Sequence, residues 1–123
     1  MRTDELMQGD IVMYEGTPVY VMAILNFDEI QVSVDLDADK WATINADDCV
    51  PMELTGELLQ KNGLMQQENR YLFPSEPWIG CIKDMPGFWY TVDGVQVSLL
   101  AYVHQFQHLL KDVKSESIKE VVW

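Results

Sequence analysis

From Ile30 to Asp37 the chain alternates without a break: Ile30, Val32, Val34 and Leu36 are apolar, while Gln31, Ser33, Asp35 and Asp37 are polar. A period of two sends successive side chains to opposite faces of an extended backbone, so the stretch reads as a half-buried antiparallel strand. A helical period of 3.6 would split the same apolar residues between two opposite sides. Short strands bounded by turn residues surround it. Asp10–Tyr14 comes first, Glu15-Gly16 makes a tight turn, and Thr17–Asn26 is a longer, nearly all-apolar strand suited to a barrel wall. Asn26–Glu29 then turns the chain into the alternating strand. Beyond it Asp37-Ala38-Asp39 turns, Lys40–Ile44 returns with Trp41, Asn45–Asp48 makes one helical turn, and Val50, Met52 and Leu54 alternate again. Five short strands with a helical turn before the fifth are the order of an SH3-like barrel, expected over residues 1–54. Closing a barrel hides edges that would otherwise aggregate.

The second half, residues 55–123, reads as a small α+β unit sharing a core with the barrel. Thr55 caps a short helix over 56–62, with Leu54 and Leu59 at hydrophobic-staple spacing and Gly63 ending it. Residues 64–69 are a polar connector. Tyr71–Phe73 and Trp78–Lys83 are strand candidates, and Met85-Pro86-Gly87 is a turn. Asp93-Gly94, between Phe88–Val92 and Val95–Val97, supplies the two positive-φ residues of a type I′ turn and predicts a hairpin over 88–97. Ser98 then caps a helix over 98–113, with Leu99, Tyr102, Val103, Phe106, Leu109, Leu110 and Val113 as one apolar stripe. Ser115–Glu120 is a loose polar stretch.

Charge is the unusual global property: eight Lys+Arg against twenty Asp+Glu, a net −12. It is lopsided, with twelve carboxylates and two cations in residues 1–54 and eight carboxylates and six cations thereafter. Such a first half repels phosphate backbones, which disfavours nonspecific nucleic-acid binding and favours a basic partner. No apolar run approaches the ~18 residues of a membrane span. The start Met-Arg-Thr-Asp-Glu does not resemble a signal peptide, so the expected compartment is the cytoplasm. Cys49 and Cys81 read as reduced, packed thiols.

Motifs for chemistry are sparse. Asp35, Asp37 and Asp39 form a D-x-D-x-D run, yet an EF-hand loop starting at Asp35 would want Gly and Glu where Lys40 and Ala46 stand. His104 and His108 have metal-pair spacing, but on a helical wheel both lie opposite the apolar stripe beside Gln107 and Lys111, with no third ligand at helical spacing. No cofactor or metal is therefore expected. Tyr14, Tyr20, Phe27 and Trp41 offer a ring-lined groove on the barrel, or simply its core. Trp78, Phe88, Trp89 and Tyr90 are denser, and an alternating hairpin must expose part of them.

Two segments carry a resemblance. Leu54-Thr55-Gly56-Glu57-Leu58-Leu59-Gln60-Lys61-Asn62-Gly63 resembles the L-T-x-E-x-L-x-K-N-G-F segment of a family of small proteins from prophage and mobile elements of gut bacteria. Tyr102-Val103-His104-Gln105-Phe106-Gln107-His108 is similar to that family's Y-V-H-Q-L-Q-N segment, and Gly9-Asp10-Ile11-Val12 to its G-N-W-V start. Leu64 stands where the family has an aromatic, Phe106 where it has Leu, and His108 where it has Asn, which counts against a family-wide metal pair. The family has no assigned activity. The resemblance thus implies a genetic setting, and a role in binding host machinery.

These readings predict a non-enzymatic interaction module. Asp28, Glu29, Asp35, Asp37, Asp39, Asp47 and Asp48 would form an acidic face that steers a basic protein partner, or mimics nucleic acid, and Trp41 would add contact area. A second reading is specific nucleic-acid binding through the barrel, which requires Lys61, Arg70, Lys83, Lys111 and Lys114 to converge. A third is an enzyme, which requires a cleft joining Cys49 or Cys81 with His104, or clustered carboxylates.

Overall fold

A computed structural model describes residues 1–37, 39–74, 76–84, 87–112, 121 and 123. The chain divides into two compact units, Met1–Met52 and Glu53–Trp123. Among the described residues it is mainly β, with two five-stranded antiparallel sheets and two α-helices. No helix among these residues is long and apolar enough to cross a membrane.

The first unit holds β1 (Ile11–Tyr14), β2 (Thr17–Ile24), β3 (Glu29–Ser33), β4 (Ala42–Asn45) and β5 (Cys49–Pro51), in spatial order β4-β3-β2-β1-β5. Strand β2 serves two neighbours. Its residues Thr17–Tyr20 pair with β1, and Tyr20–Ile24 pair with β3. A register slip between Val21 and Ala23 falls within the part paired with β3, an irregularity of the kind that bends a strand. Strand β1 then pairs with β5, Val12 opposite Pro51, giving a half-barrel. Its centre is Leu6, Val12, Val19, Val21, Ile30, Val32, Ala46 and Cys49. The expected helical turn is a 3-10 turn at Ala46–Asp48, and the Asn45 side chain caps it by accepting the Asp47 N–H. Glu15 (φ 49°) and Gly16 (φ 78°) are both left-handed, as the β1–β2 turn requires.

The alternating segment is shorter as a strand than its pattern. Ile30 and Val32 are buried, but β3 stops at Ser33 and Val34 is exposed. Local side-chain hydrogen bonds end the ladder: the Asp35 N–H donates to Ser33 Oγ at 3.2 Å, and the Asp37 N–H donates to Asp35 Oδ1 at 3.0 Å. Asp and Ser compete for backbone groups in this way wherever a turn is available. Trp41 lies outside β4 and is exposed.

The second unit holds α1 (Gly56–Lys61), β6 (Met65–Gln67), β7 (Arg70–Leu72), β8 (Ile79–Asp84), β9 (Gly87–Val92), β10 (Val95–Leu100) and α2 (Val103–Asp112). Its sheet is a meander in the order β10-β9-β8-β7-β6. Thr55 caps α1 by accepting the Leu58 N–H at 3.2 Å. Tyr71, Cys81, Tyr90 and Ser98 stand opposite one another as a row across one face, where the Tyr71 and Phe88 rings meet edge-to-face at 5.6 Å. Phe88 and Tyr90 are buried, Trp78 is exposed, and Trp89 on the other face is half-buried and donates to Asp84 Oδ2.

The second unit departs from the sequence expectation at a helix and at a strand. The helix predicted from Ser98 begins only at Val103, because Ser98, Leu99 and Leu100 continue β10 opposite Tyr90, Trp89 and Phe88. Its start is fixed by Gln105, whose Oε1 accepts the Ala101 and Tyr102 N–H groups at 2.9 and 3.1 Å, a reach-back of capping-box type. The polar connector 64–69 contains a strand, β6, paired with β7 across a turn where Glu68 takes φ 59°. The proposed turn at Met85-Pro86, the helix end at Val113 and the stretch Ser115–Glu120 lie outside the described residues.

Candidate functional site

The β2–β3 turn presents the most exposed large apolar side chain of the described residues: Phe27, 91% accessible. An aromatic ring left in water at a loop tip contributes nothing to the core, and burying it against a partner is worth about 1.5–3 kcal/mol. The turn beneath it is fixed. Asn26 Oδ1 accepts the N–H groups of both Asp28 and Glu29 at 2.9 Å, and Asn26 Nδ2 donates to Glu29 Oε1 at 2.9 Å. The Phe27 carbonyl accepts Thr3 Oγ1–H at 3.0 Å, and the Asp28 carbonyl accepts the Ala46 N–H at 2.7 Å. Ile24 and Leu25, at the end of β2, are also exposed. The result is an apolar knob on a preorganised turn, flanked by the carboxylates of Asp28 and Glu29. Asp47 is near in the chain to Asn45, which pairs with Glu29.

The seven predicted acidic residues do not make one face. Asp28 precedes β3 and Glu29 opens it, whereas Asp35, Asp37 and Asp39, with Trp41, sit in the loop after it. A five-residue strand such as β3 is about 13 Å long, so the two groups flank it at opposite ends. Asp48 belongs to a third place, beside Tyr14 and Glu15: the Glu15 carboxylate, then burial, then Asp48 push the Tyr14 hydroxyl above its ordinary pKa. Asp35 also spends one oxygen holding its own loop. Among the described residues none of the seven is paired with a cation.

Of the four barrel aromatics, Tyr20 is buried and Tyr14 half-buried, while Phe27 and Trp41 face solvent. They form no common groove on one surface of the sheet. The basic strip is likewise dispersed. Arg70 stands opposite Ile82, so Arg70 and Lys83, next to Ile82, leave opposite faces of their sheet. Lys114 lies outside the described residues.

The histidines are placed differently from the helical-wheel reading. His104 is buried, 7% exposed, as is Gln107, so α2 buries a wider sector than its apolar residues alone. Packing explains it: the His104 ring stacks on Tyr102 at 5.9 Å and meets His108 edge-on at 5.7 Å. Among the described residues no three of His, Cys, Asp and Glu are placed to hold a metal. Burial pushes the Cys81 thiol up to about 12, and burial raises Cys49 as well, the direction opposite to thiolate activation.

Sequence reasoning named Asp28, Glu29 and Phe27 but treated the ring as groove or core. The signal it passed over was local: a Phe inside an Asn-x-Asp-Glu turn has no strand register to carry it inward. No family model, curated protein or solved structure matches the chain.

Proposed function

We propose that the protein is a non-enzymatic interaction module whose N-terminal unit, an SH3-like barrel, binds a basic protein partner at the Asn26–Glu29 turn. The SH3-like reading rests on the strand order β4-β3-β2-β1-β5 and on the 3-10 turn before β5. One observation carries the functional reading: Phe27 stands 91% exposed on a turn locked by its neighbours and flanked by carboxylates. A preorganised aromatic anchor loses little entropy on binding, and surrounding charge supplies steering and choice of partner. The genetic setting belongs to the same proposal: an accessory protein of a phage or mobile element, acting on host machinery. Nucleic-acid mimicry gains less support, because the carboxylates divide between separate ends of β3.

The test is affinity capture from bacterial lysate at low and high salt, with wild type, Phe27→Ser and the Asp28→Lys/Glu29→Lys pair. The expected result is a basic protein retained by wild type and lost with Phe27→Ser. Its retention by the charge-reversed pair should be weak and nearly independent of salt. Capture that ignores salt and both variants would refute the reading.

A further inference from the structure

The second unit carries an interaction surface that the barrel proposal does not use. Strand β10 is an edge of its sheet, bonded to β9 on one side. Edge strands are normally guarded by Lys, Pro or inward charge. Here Val95 (64% exposed), Val97 (56%) and Leu99 (47%) line the strand with no charge or proline among them, and the one guard is a register shift between Gln96 and Ser98. From Val95 to Leu110 there is no Asp, Glu, Lys or Arg, in a chain that is 23% charged.

Beside this edge runs a groove of about 260 Å³ lined by Ser98, Leu99, Leu100, Gln105, His108 and Leu109. Successive strand side chains alternate between faces, so a groove touched by Ser98, Leu99 and Leu100 in succession follows the strand's edge and not one face of the sheet. The other wall is a single ridge of α2, since Gln105, His108 and Leu109 are spaced i, i+3, i+4. The volume is below the roughly 300–1,000 Å³ of small-molecule pockets. An edge strand with a helix standing alongside is instead the geometry of β-strand addition, where main-chain hydrogen bonds give affinity and alternate side chains give specificity.

We infer that the β10–α2 groove binds an extended peptide segment of a partner protein, uncharged and with apolar residues at alternate positions. The charge pattern selects this occupant. Apart from the His108 imidazole the groove's lining is neutral, with no carboxylate, ammonium or guanidinium to pair with a charged side chain, which would be desolvated unpaired. A second copy of the chain fits less well. It would bring a net −12 against another −12.

The probe is a display library of random hexapeptides between flexible linkers, selected on the full chain. Enriched clones should converge on uncharged sequences with alternating apolar residues. A synthetic peptide of the leading clone should shift the amide resonances of Val95–Leu100 and of Gln105–Leu109. Leu99→Lys, at an exposed position, should weaken its binding by roughly tenfold or more, a loss typical of a truncated anchor. Val97→Lys repeats the test should Leu99→Lys misfold. Four results would overturn the inference: no clone enriched, equal binding to both lysine variants, resonance shifts elsewhere, or a wild-type dimer in sedimentation that Leu99→Lys dissolves.

Discussion

Gly87→Ala tests how tightly the sheet of the second unit is built. Gly87 opens β9, and a Cβ there would lie 2.2 Å from the Leu100 carbonyl oxygen, 3.0 Å from its carbon and 3.2 Å from Ala101 Cα. Carbon–oxygen contacts between neighbouring strands settle near about 3.3–3.6 Å. The overlap is therefore more than 1 Å, and it is against backbone, which has no rotamer to yield. Relief requires β10 to move off β9, which strains the ladder next to Phe88–Leu100. Overpacking of this kind costs about 1–3 kcal/mol, and a weakened ladder bond adds about 1 kcal/mol. Each kcal/mol shifts the midpoint of a domain of about 60–100 residues by about 4–8 °C. Calorimetry of the full chain should therefore show the transition of the second unit falling by roughly 10–25 °C. Gly94→Asn is the control: Gly94 has φ 80° with nothing within 4 Å of a Cβ, so the substitution meets only left-handed backbone strain, which Asn bears better than most residues, and its shift should be the smaller of the two. A Gly87→Ala melt within about 3 °C of wild type, less than 1 kcal/mol, would refute the steric reasoning.

Other expectations follow from single sites. Asn26→Ala removes an acceptor for two backbone N–H groups and should destabilise the first unit by about 1–2 kcal/mol in urea unfolding. Phe27→Ala, at a side chain 91% exposed, should change the free energy of unfolding by no more than about 0.5 kcal/mol while abolishing partner binding. The Cys81 thiol titrates near 9.0 when unfolded and is pushed up to about 12 when folded, so the unfolded chain releases its proton first. Stability from this group is complete below pH 9 and falls above it by up to about 1.4 kcal/mol per pH unit, a slope that Cys81→Ala should flatten in alkaline unfolding curves. At pH 8 the same thiol should react with a disulfide reagent only as fast as its unit opens.

What the sequence disclosed depended on whether the deciding forces were local. Asp93-Gly94 specified its hairpin because both residues must be left-handed, and they are, at φ 52° and 80°. Thr55 and Asn45 cap where caps were needed. The helix start was misjudged because Leu99, Tyr102, Val103 and Phe106 satisfy a helical period by coincidence, whereas cross-strand pairing with Phe88–Tyr90 holds residues 98–100 extended. Strand β6 was hidden because all three of its residues are exposed at an edge, so no apolar pattern marks it. The seven carboxylates of the expected acidic face are each exposed, but their division into separate places follows from β3 standing between them, a matter of topology that spacing along the chain does not reveal.

The pairing of β1 with β5 also sets an order of events. Every pair in the second sheet joins strands that follow one another in the chain, so it can zip locally. The first unit must instead wait for Pro51 to reach Val12, and loop-closure entropy has to be met before that contact gives anything back. During synthesis β1–β4 emerge first, and the outer edge of β1 stays open until β5 arrives. For that interval the eleven carboxylates of residues 1–52, against two cations, keep half-built ribbons on neighbouring ribosomes apart by repulsion.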